Sequence, residues 1–282
     1  MNRADSIVFS PKTIGRMEIK NRLVKSATYE GSATIKGEVS DSLVGLYTNL
    51  AMGGAGMIIT GAAAIDPENI SFPKVIRAYD DSFIPGLKRL SRAVHTADGE
   101  CRIILQLFHP GRQVATAESA ANLGAYLSPA LMNYIGKHPE IFVEEEGEAP
   151  EAEPTAPSSI FDTLLKQTPR ALTLEEIESI IDGFAASIQR AQEAGFDGVQ
   201  LHAAHGWLLN SFLSPHTNRR EDQYGGSLEN RSWIVKEIYK RGRKRVGEDF
   251  PILIKVNTTD FLPDGIDIEE SVQSARIFSE LG

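Results

Sequence analysis

The sequence predicts an α/β protein built as a TIM-type (β/α)8 barrel, with about five strand–helix units present in the chain. Three observations carry this reading. Apolar, β-prone runs alternate with segments whose apolar residues recur at helical spacing, the pattern of a parallel sheet with right-handed crossovers. Polar and small residues gather just after those runs, in "SATYE", "TGAAA", "QLFHPGRQ", "HAAHGW" and "KVNTTD", where a barrel places its chemistry. The length of 282 residues and the 41% apolar content suffice for one large core, so 1–282 reads as a single domain.

The elements follow in order. "NRLVKSATY" (21–29) is the first strand, and "SDSLVGLYTNLAMGG" the first helix. Leu43, Leu46, Tyr47 and Leu50 share a face of that helix, and Gly53 and Gly54 stop it. "AGMIITGAAA" is the second strand. A second helix covers about 81–97, with Phe83, Ile84, Leu87, Leu90 and Val94 on one face, and "CRIILQLF" is strand three.

A long irregular stretch then runs from about 110 to 170. Its part "VEEEGEAPEAEPTAPSS", acidic at 144–153, is too polar and proline-rich to build a core and reads as an exposed insertion. Regular pattern resumes at "LTLEEIESIIDGFAASIQRAQEAG". There Thr173 and Glu176 form a capping box, Ile177, Ile180, Ile181, Phe184 and Ile188 a buried stripe, and Gly195 the stop. "FDGVQLHAA" is strand four, "SLENRSWIVKEIYKRGRKRVG" helix four and "FPILIKVNTTD" strand five. Asp267 and Glu270 cap a fifth helix with the stripe Val272, Ala275, Phe278 and Leu281. A closed barrel needs eight strands, so three units are missing from this count.

Composition narrows the function classes. The net charge of −9, without a basic run, argues against nucleic acid as a partner and leaves a small-molecule substrate. The single cysteine, Cys101, excludes an internal disulfide and no Cys/His zinc spacing exists, which suits a reducing, cytoplasmic setting. Neither a signal core nor a run long enough to span a membrane occurs, so a soluble chain is expected; self-association is left open.

"HAAHGW" places His202 and His205 three residues apart beside Trp207. Spacing alone leaves metal ligation, acid–base work, oxyanion binding and plain packing all open, and favours a structural role. The metal reading is weak, because no third ligand cluster is evident. Gln106 and Lys255, taken singly, read as ordinary strand-end residues. Gly225, Gly226, Ser227 and Arg231 read as a turn, a cap and a loop anchor, and Trp233 and Tyr239 as helix packing. Of the remaining histidines (His95, His109, His138, His216), His109 is the one assigned to a pocket mouth.

The stretch "GFDGVQLHAAHGWLLNSFLSPHTNRREDQYGGSLENR" (195–231) resembles the signature of the Old Yellow Enzyme family of FMN-dependent NAD(P)H oxidoreductases. "VFSPKTIGRMEIKNRLVKSATYEG", "GGAGMIITGAAAI", "ILQLFHPGRQ" and "PRALTLEEI" extend the resemblance over nearly all of the chain except the acidic insertion, closest to the enoate-reductase-like branch. The resemblance implies a barrel holding FMN, reduced by NADH or NADPH, with hydride passing by ping-pong turnover to an electron-poor alkene. Ala27, Thr28 and Tyr29 would lie against the flavin ring, with Tyr29 near its N5–O4 edge. Ala62 would let backbone approach that edge, Gln106 would read the pyrimidine edge, and Lys255 would stabilise charge at N1 and O2. His202 and His205 would donate hydrogen bonds to the substrate oxygen, as neutral imidazoles can, and His202 would also contact the cofactor. Two departures stand out. Trp207 replaces the tyrosine to which the family's proton transfer is ascribed, and the family's phosphate-binding loops follow strands seven and eight, which are not counted here. Three rivals remain: flavin-dependent amine or alicyclic oxidation or demethylation, a flavin-free barrel remnant, and, more distantly, a metal-dependent barrel hydrolase.

Overall fold

Strands from all five units lie side by side in one parallel sheet, in the order in which they occur along the chain. The computed structural model describes residues 6–68, 74–114 and 153–282. A small antiparallel hairpin, β1 (Lys12–Ile14) and β2 (Met17–Ile19), precedes β3 (Val24–Lys25) and α1 (Asp41–Met52). Then come β4 (Met57–Ala64), the short β5 (Ile76–Arg77), α2 (Ile84–Ala97) and β6 (Arg102–Phe108). Beyond β6, β7 (Thr155–Ala156) pairs with β8 (Arg170–Ala171) ahead of α3 (Leu174–Glu193) and β9 (Gly198–Ala203). The last elements are α4 (Leu208–Leu213), α5 (Leu228–Arg231), α6 (Trp233–Val246), β10 (Ile252–Val256) and α7 (Ile268–Ser279).

The sheet order is β3-β4-β6-β9-β10, with β5 beside the end of β4. Each new strand joins the same side of the one before it. A doubly wound sheet reverses direction at a switch point, whereas a barrel does not. The sheet is curled, and this one-way winding is that of part of a barrel.

Both faces are buried, against different partners. Outward, α1, α2, α3 and α6 cover the sheet with Leu43, Tyr47, Leu90, Ile181, Phe184 and Ile238 in one large cluster. Inward, Met57, Ile59 and Ile104 pack on Met17 and Ile19 of the hairpin, with Ala27 and Leu253 beside them. The hairpin therefore covers the inner face near the strand starts, and the inner face at the strand ends is left to polar residues. The capping box of α3 forms as predicted: Thr173 Oγ1 accepts from Glu176 N–H, and the Glu176 carboxylate accepts from Thr173 N–H. Gly195 follows at φ 76°, a conformation costly for a side-chain-bearing residue.

The structure corrects the sequence reading in several places. The first strand is two residues long rather than nine, because Asn21 takes the Leu23 N–H at its start and the chain leaves the sheet after Lys25. Leu46 is exposed. Helix four breaks at Ser232, where the Arg231 guanidinium turns inward onto the carbonyls of Leu213 and Gly226 and the Glu270 carboxylate; this is the predicted loop anchor. In α7 the buried face is Ser271, Ser274 and Phe278, and Val272 points outward. Ser271 Oγ donates to Asn257 O at 2.9 Å, and that polar tie sets the rotation of the helix. Trp233 and Tyr239, read as helix packing, stack under Lys240 and Arg243 of the same helix at 4.9 and 5.0 Å.

Within the insertion, Thr155 and Ala156 are buried, so its return is packed rather than exposed. Residues 115–152, which include His138 and all but the last residue of the acidic 144–153 segment, lie outside the described residues. Among the described residues no helix is long and apolar enough to cross a membrane.

Candidate active site

Register brings the predicted residues together. Ala62 on β4 pairs with Gln106 on β6, and Gln106 pairs with Gln200 on β9. His202 pairs with Lys255 on β10 two residues further along. Side chains two apart on a strand share a face, so Gln200 and His202 point to the same inner side. Gln106 Nε2 donates to Gln200 Oε1 at 2.7 Å, and both amides are buried. Between Ile59 and Ala62 the β4 register slips, and Thr60 Oγ1 accepts the Gln106 N–H at 3.2 Å. That irregularity is what aims Ala62 at the amide row.

His202 is buried and its Nδ1 has no hydrogen-bond partner among the described residues. Burial pushes its imidazole pKa down to about 3, with His205 and the Lys255 ammonium adding to the shift. Burial and then Lys255 lower His205 too. Both rings are therefore neutral near pH 7, each with one N–H to donate. They meet edge to face with centroids 5.0 Å apart. Lys255 forms no ion pair among the described residues, a costly arrangement for a partly buried cation unless a ligand supplies the counter-charge. No group of three or more metal-ligating side chains gathers among the described residues.

Trp207 caps the start of α4, and its ring stands edge-on to Phe108 and His202, at 5.5 and 6.2 Å between centroids. This wedges an apolar wall against the histidine pair. At the end of β3, Ala27 is half-buried, Thr28 is exposed with its hydroxyl on Ser26 O, and Tyr29 is 45% exposed. Burial and the neighbouring Glu30 raise the Tyr29 phenol pKa to about 12.

Four contributors escaped the sequence reading. Gln200 was legible in principle, two residues before His202 on one strand. Glu30 fixes the segment carrying Ala27, Thr28 and Tyr29: its carboxylate accepts from Lys25 at 2.9 Å, from Gly61 N–H at 3.0 Å, and from the Tyr47 hydroxyl. Asn210 and Asn257 hold the backbone of the His205 turn. His109 corrects an expectation in the other direction. It is buried, not at a pocket mouth, with Nδ1 accepting from Gly111 N–H at 3.0 Å and burial lowering its pKa to about 4.

The buried His202 nitrogen and Lys255, both without a partner among the described residues, the small side chains of Ala27 and Ala62 and the paired amides together suit a flat, polar-edged group carrying negative charge. FMN is such a group, so the residues present fit it.

Comparison with known proteins agrees. The family described as NADH:flavin oxidoreductase / NADH oxidase matches residues 7–282. An NADH oxidase of Thermoanaerobacter brockii is 34% identical over 276 residues, 98% of this chain and 38% of that protein. A 2-naphthoyl-CoA reductase structure in complex with 2-naphthoyl-CoA superposes with a TM-score of 0.82 at 28% identity, covering 98% of this chain and 39% of the other. An Old Yellow Enzyme homologue from Zymomonas mobilis gives 0.77 at 26% identity, over 98% of this chain and 71% of the other. The chain thus spans well under half the length of the first of these relatives. It belongs to the NADH:flavin oxidoreductase / NADH oxidase family, whose Old Yellow Enzyme members are TIM barrels.

Proposed function

We propose that this protein is an NAD(P)H:FMN oxidoreductase whose acceptor is an alkene conjugated to a carbonyl, of the enone or enoate kind. FMN is the family's cofactor, with NADH or NADPH as reductant. Held by Ala27, Thr28, Ala62, Gln106 and Lys255, FMN would supply hydride transfer from nicotinamide to acceptor, so that one site would serve both half-reactions.

The single observation carrying this reading is the pair of neutral imidazoles, His202 and His205, at the inner strand ends beside Lys255, which has no ion-pair partner among the described residues. The two histidines bind the acceptor's carbonyl oxygen through N–H donors. A fixed donor there favours the negative charge that grows on the oxygen as hydride reaches the β-carbon. A low-polarity wall (Phe108, Trp207) strengthens that interaction by excluding water, and a nearby cation adds attraction for the negative charge. Gln106 and Gln200, locked to each other, present amide donor and acceptor groups to a heterocycle edge. Lys255 offers positive charge, and Ala27, Thr28 and Ala62 leave room for a planar ring.

The proton completing the alkene reduction comes from water or from Tyr29. The Trp207 indole N–H donates a hydrogen bond but is far too weak an acid to release a proton. The likeness to a reductase of an aryl thioester supports a conjugated acceptor. On this reading 1–282 is one barrel domain, and the free, buried thiol of Cys101 suits a reducing cytoplasmic setting.

The test is anaerobic addition of NADH, then NADPH, to FMN-reconstituted protein, followed by a cyclic enone. Bleaching of the flavin absorbance and its return on enone addition are expected. Full-length protein that cannot be reconstituted with FMN overturns the reading. Reoxidation only by oxygen overturns the alkene assignment, and bleaching by an amine instead of NAD(P)H points to the dehydrogenase direction.

A further inference from the structure

His205 is one of four non-glycine residues at positive φ among the described residues, at 63°, and Gly206 follows at 78°. Two successive left-handed residues, the first with a full side chain, are disfavoured unless the surroundings impose them. Here the surroundings are two asparagines. Asn257 Oδ1, just past the end of β10, accepts the His205 N–H at 3.0 Å. Asn210 Oδ1, inside α4, accepts the Gly206 N–H at 2.7 Å. Asn257 Nδ2 donates to Asn210 Oδ1 at 3.2 Å and to Asp260 Oδ1 at 3.0 Å, which ties the two holders together. Asp260 is itself fixed, since its other oxygen accepts Ile266 N–H at 3.0 Å. The backbone carbonyl of Asn257 is held as well, by Ser271 of α7.

Each link joins an N–H donor to an oxygen acceptor, which gives the chain Asp260–Asn257–Asn210 a defined polarity. It spans three segments: the loop after β10, the turn after β9 and helix α4. Asn257 lies two residues beyond Lys255, and the turn it grips begins two residues beyond Ala203, where β9 ends. Without this grip His205 has ordinary backbone freedom, and its ring loses the edge-to-face placement on His202.

We infer that Asn257 is a positioning residue for His205: through its side chain it imposes the left-handed turn that brings the second imidazole to the acceptor oxygen. The inference rests on the proposed oxygen-binding role of the histidine pair, and it assigns a further residue to that function. Asn257 touches neither acceptor nor cofactor in this account; it acts through the His205 backbone.

The test uses FMN-loaded protein and two readouts. One is the His205 ring C–H resonance in NMR, which reports ring placement without any ligand. The other is calorimetric affinity for 4-chlorophenol, whose oxygen stands in for the acceptor carbonyl. Asn257→Ala is expected to shift the His205 resonance and to weaken 4-chlorophenol binding about tenfold, the scale of one lost hydrogen bond. FMN affinity should stay within about twofold, since the clamp does not hold the cofactor.

Asn257→Asp alone should be at least as damaging, because it places a second carboxylate against Asp260. Combining it with Asp260→Asn reverses the polarity of that link. The carboxylate introduced at position 257 can still accept from His205 N–H, and the amide introduced at position 260 can donate to it while accepting from Ile266. That carboxylate cannot donate to Asn210 Oδ1 as the Asn257 amide does, so the double variant is expected to regain only part of the 4-chlorophenol affinity lost in Asn257→Asp alone.

An unchanged His205 resonance in a folded Asn257→Ala protein overturns the inference. If that variant does not fold, the polarity-reversed pair decides. Tighter 4-chlorophenol binding than in Asn257→Asp supports the positioning role, and a folded pair with normal FMN affinity that binds no better than Asn257→Asp overturns it. Should wild type bind no 4-chlorophenol at all, the oxygen-binding role of the histidines fails, while the NMR shift still reports whether Asn257 sets the turn.

Discussion

His202 shows how one residue's environment selects its chemistry. Its buried imidazole, with a pKa near 3, carries no charge over the range in which the unfolded residue, near 6.5, titrates. Between those values the unfolded chain binds the extra proton, so this residue's contribution to stability is present above pH 6.5 and is lost as pH falls toward 3. His202 should therefore show no imidazole titration above about pH 4 by NMR, and an inflection near 6.5 would mean that it is solvated. His202→Ala and His205→Ala should each weaken phenol binding and slow enone reoxidation by about 1–3 kcal/mol, the worth of one donor to a buried oxygen. Phenol affinities unchanged in both would make the pair structural. Lys255→Met should fold normally but slow flavin reduction by roughly 10²–10³-fold, the scale of one lost electrostatic contact. An unaltered reduction rate would show that the ammonium faces elsewhere. Trp207→Phe keeps the apolar wall against Phe108 and should cost less than about tenfold in reoxidation. A thousandfold loss with normal flavin reduction would give the indole an essential part.

At the scale of elements, legibility followed periodicity. Helices with a strong apolar stripe and a cap, such as α3 with Thr173 and Glu176, were read from sequence to within a residue or two. The buried strands β4, β6 and β9 were equally plain. Polar ties were not. Nothing local in "SATYEG" says that Glu30 will cross to Gly61 and Tyr47, and nothing in "DIEESVQSARIFS" says that Ser271 will outrank Val272 in facing inward. The same holds for the site. Its strand-borne residues were legible through motif and register, whereas Glu30, Asn210 and Asn257 act through contacts 31, 4 and 52 residues apart in sequence. Gly61 offers a test at this scale. A Cβ there would stand 2.0 Å from a Glu30 oxygen and 2.7 Å from Thr28 O. Gly61→Ala should displace the Ala27–Tyr29 segment and lower FMN affinity, while leaving the outer helices packed as judged by circular dichroism. Unchanged FMN affinity would mean that this segment does not contact the cofactor.

Across the whole molecule, the described end of the insertion is tied to the barrel through a buried ion pair. Arg112, just past β6, places Nε 3.0 Å from Asp162 Oδ2, and both side chains are less than a tenth exposed. The other Asp162 oxygen accepts the N–H groups of Leu164 and Leu165 at 2.9 and 3.0 Å, which folds the 162–167 loop. Gln167 returns from that loop to donate to the carbonyls of Arg112 and Val114, both at 2.9 Å. The segment leading into α3 is thereby fastened beside the strand ends that carry Gln106 and the histidines. A buried pair adds little over apolar packing, but breaking it strands one charge away from water. Arg112→Met should therefore destabilise the fold by about 3–5 kcal/mol in urea denaturation. Adding Asp162→Asn removes the stranded charge, and its Oδ1 can still accept from Leu164 and Leu165. The double variant should then be more stable than Arg112→Met alone, although it carries one more substitution. If the second change only adds to the loss, or if Arg112→Met costs less than about 1 kcal/mol, the pair is solvated and does not fasten the insertion to the sheet.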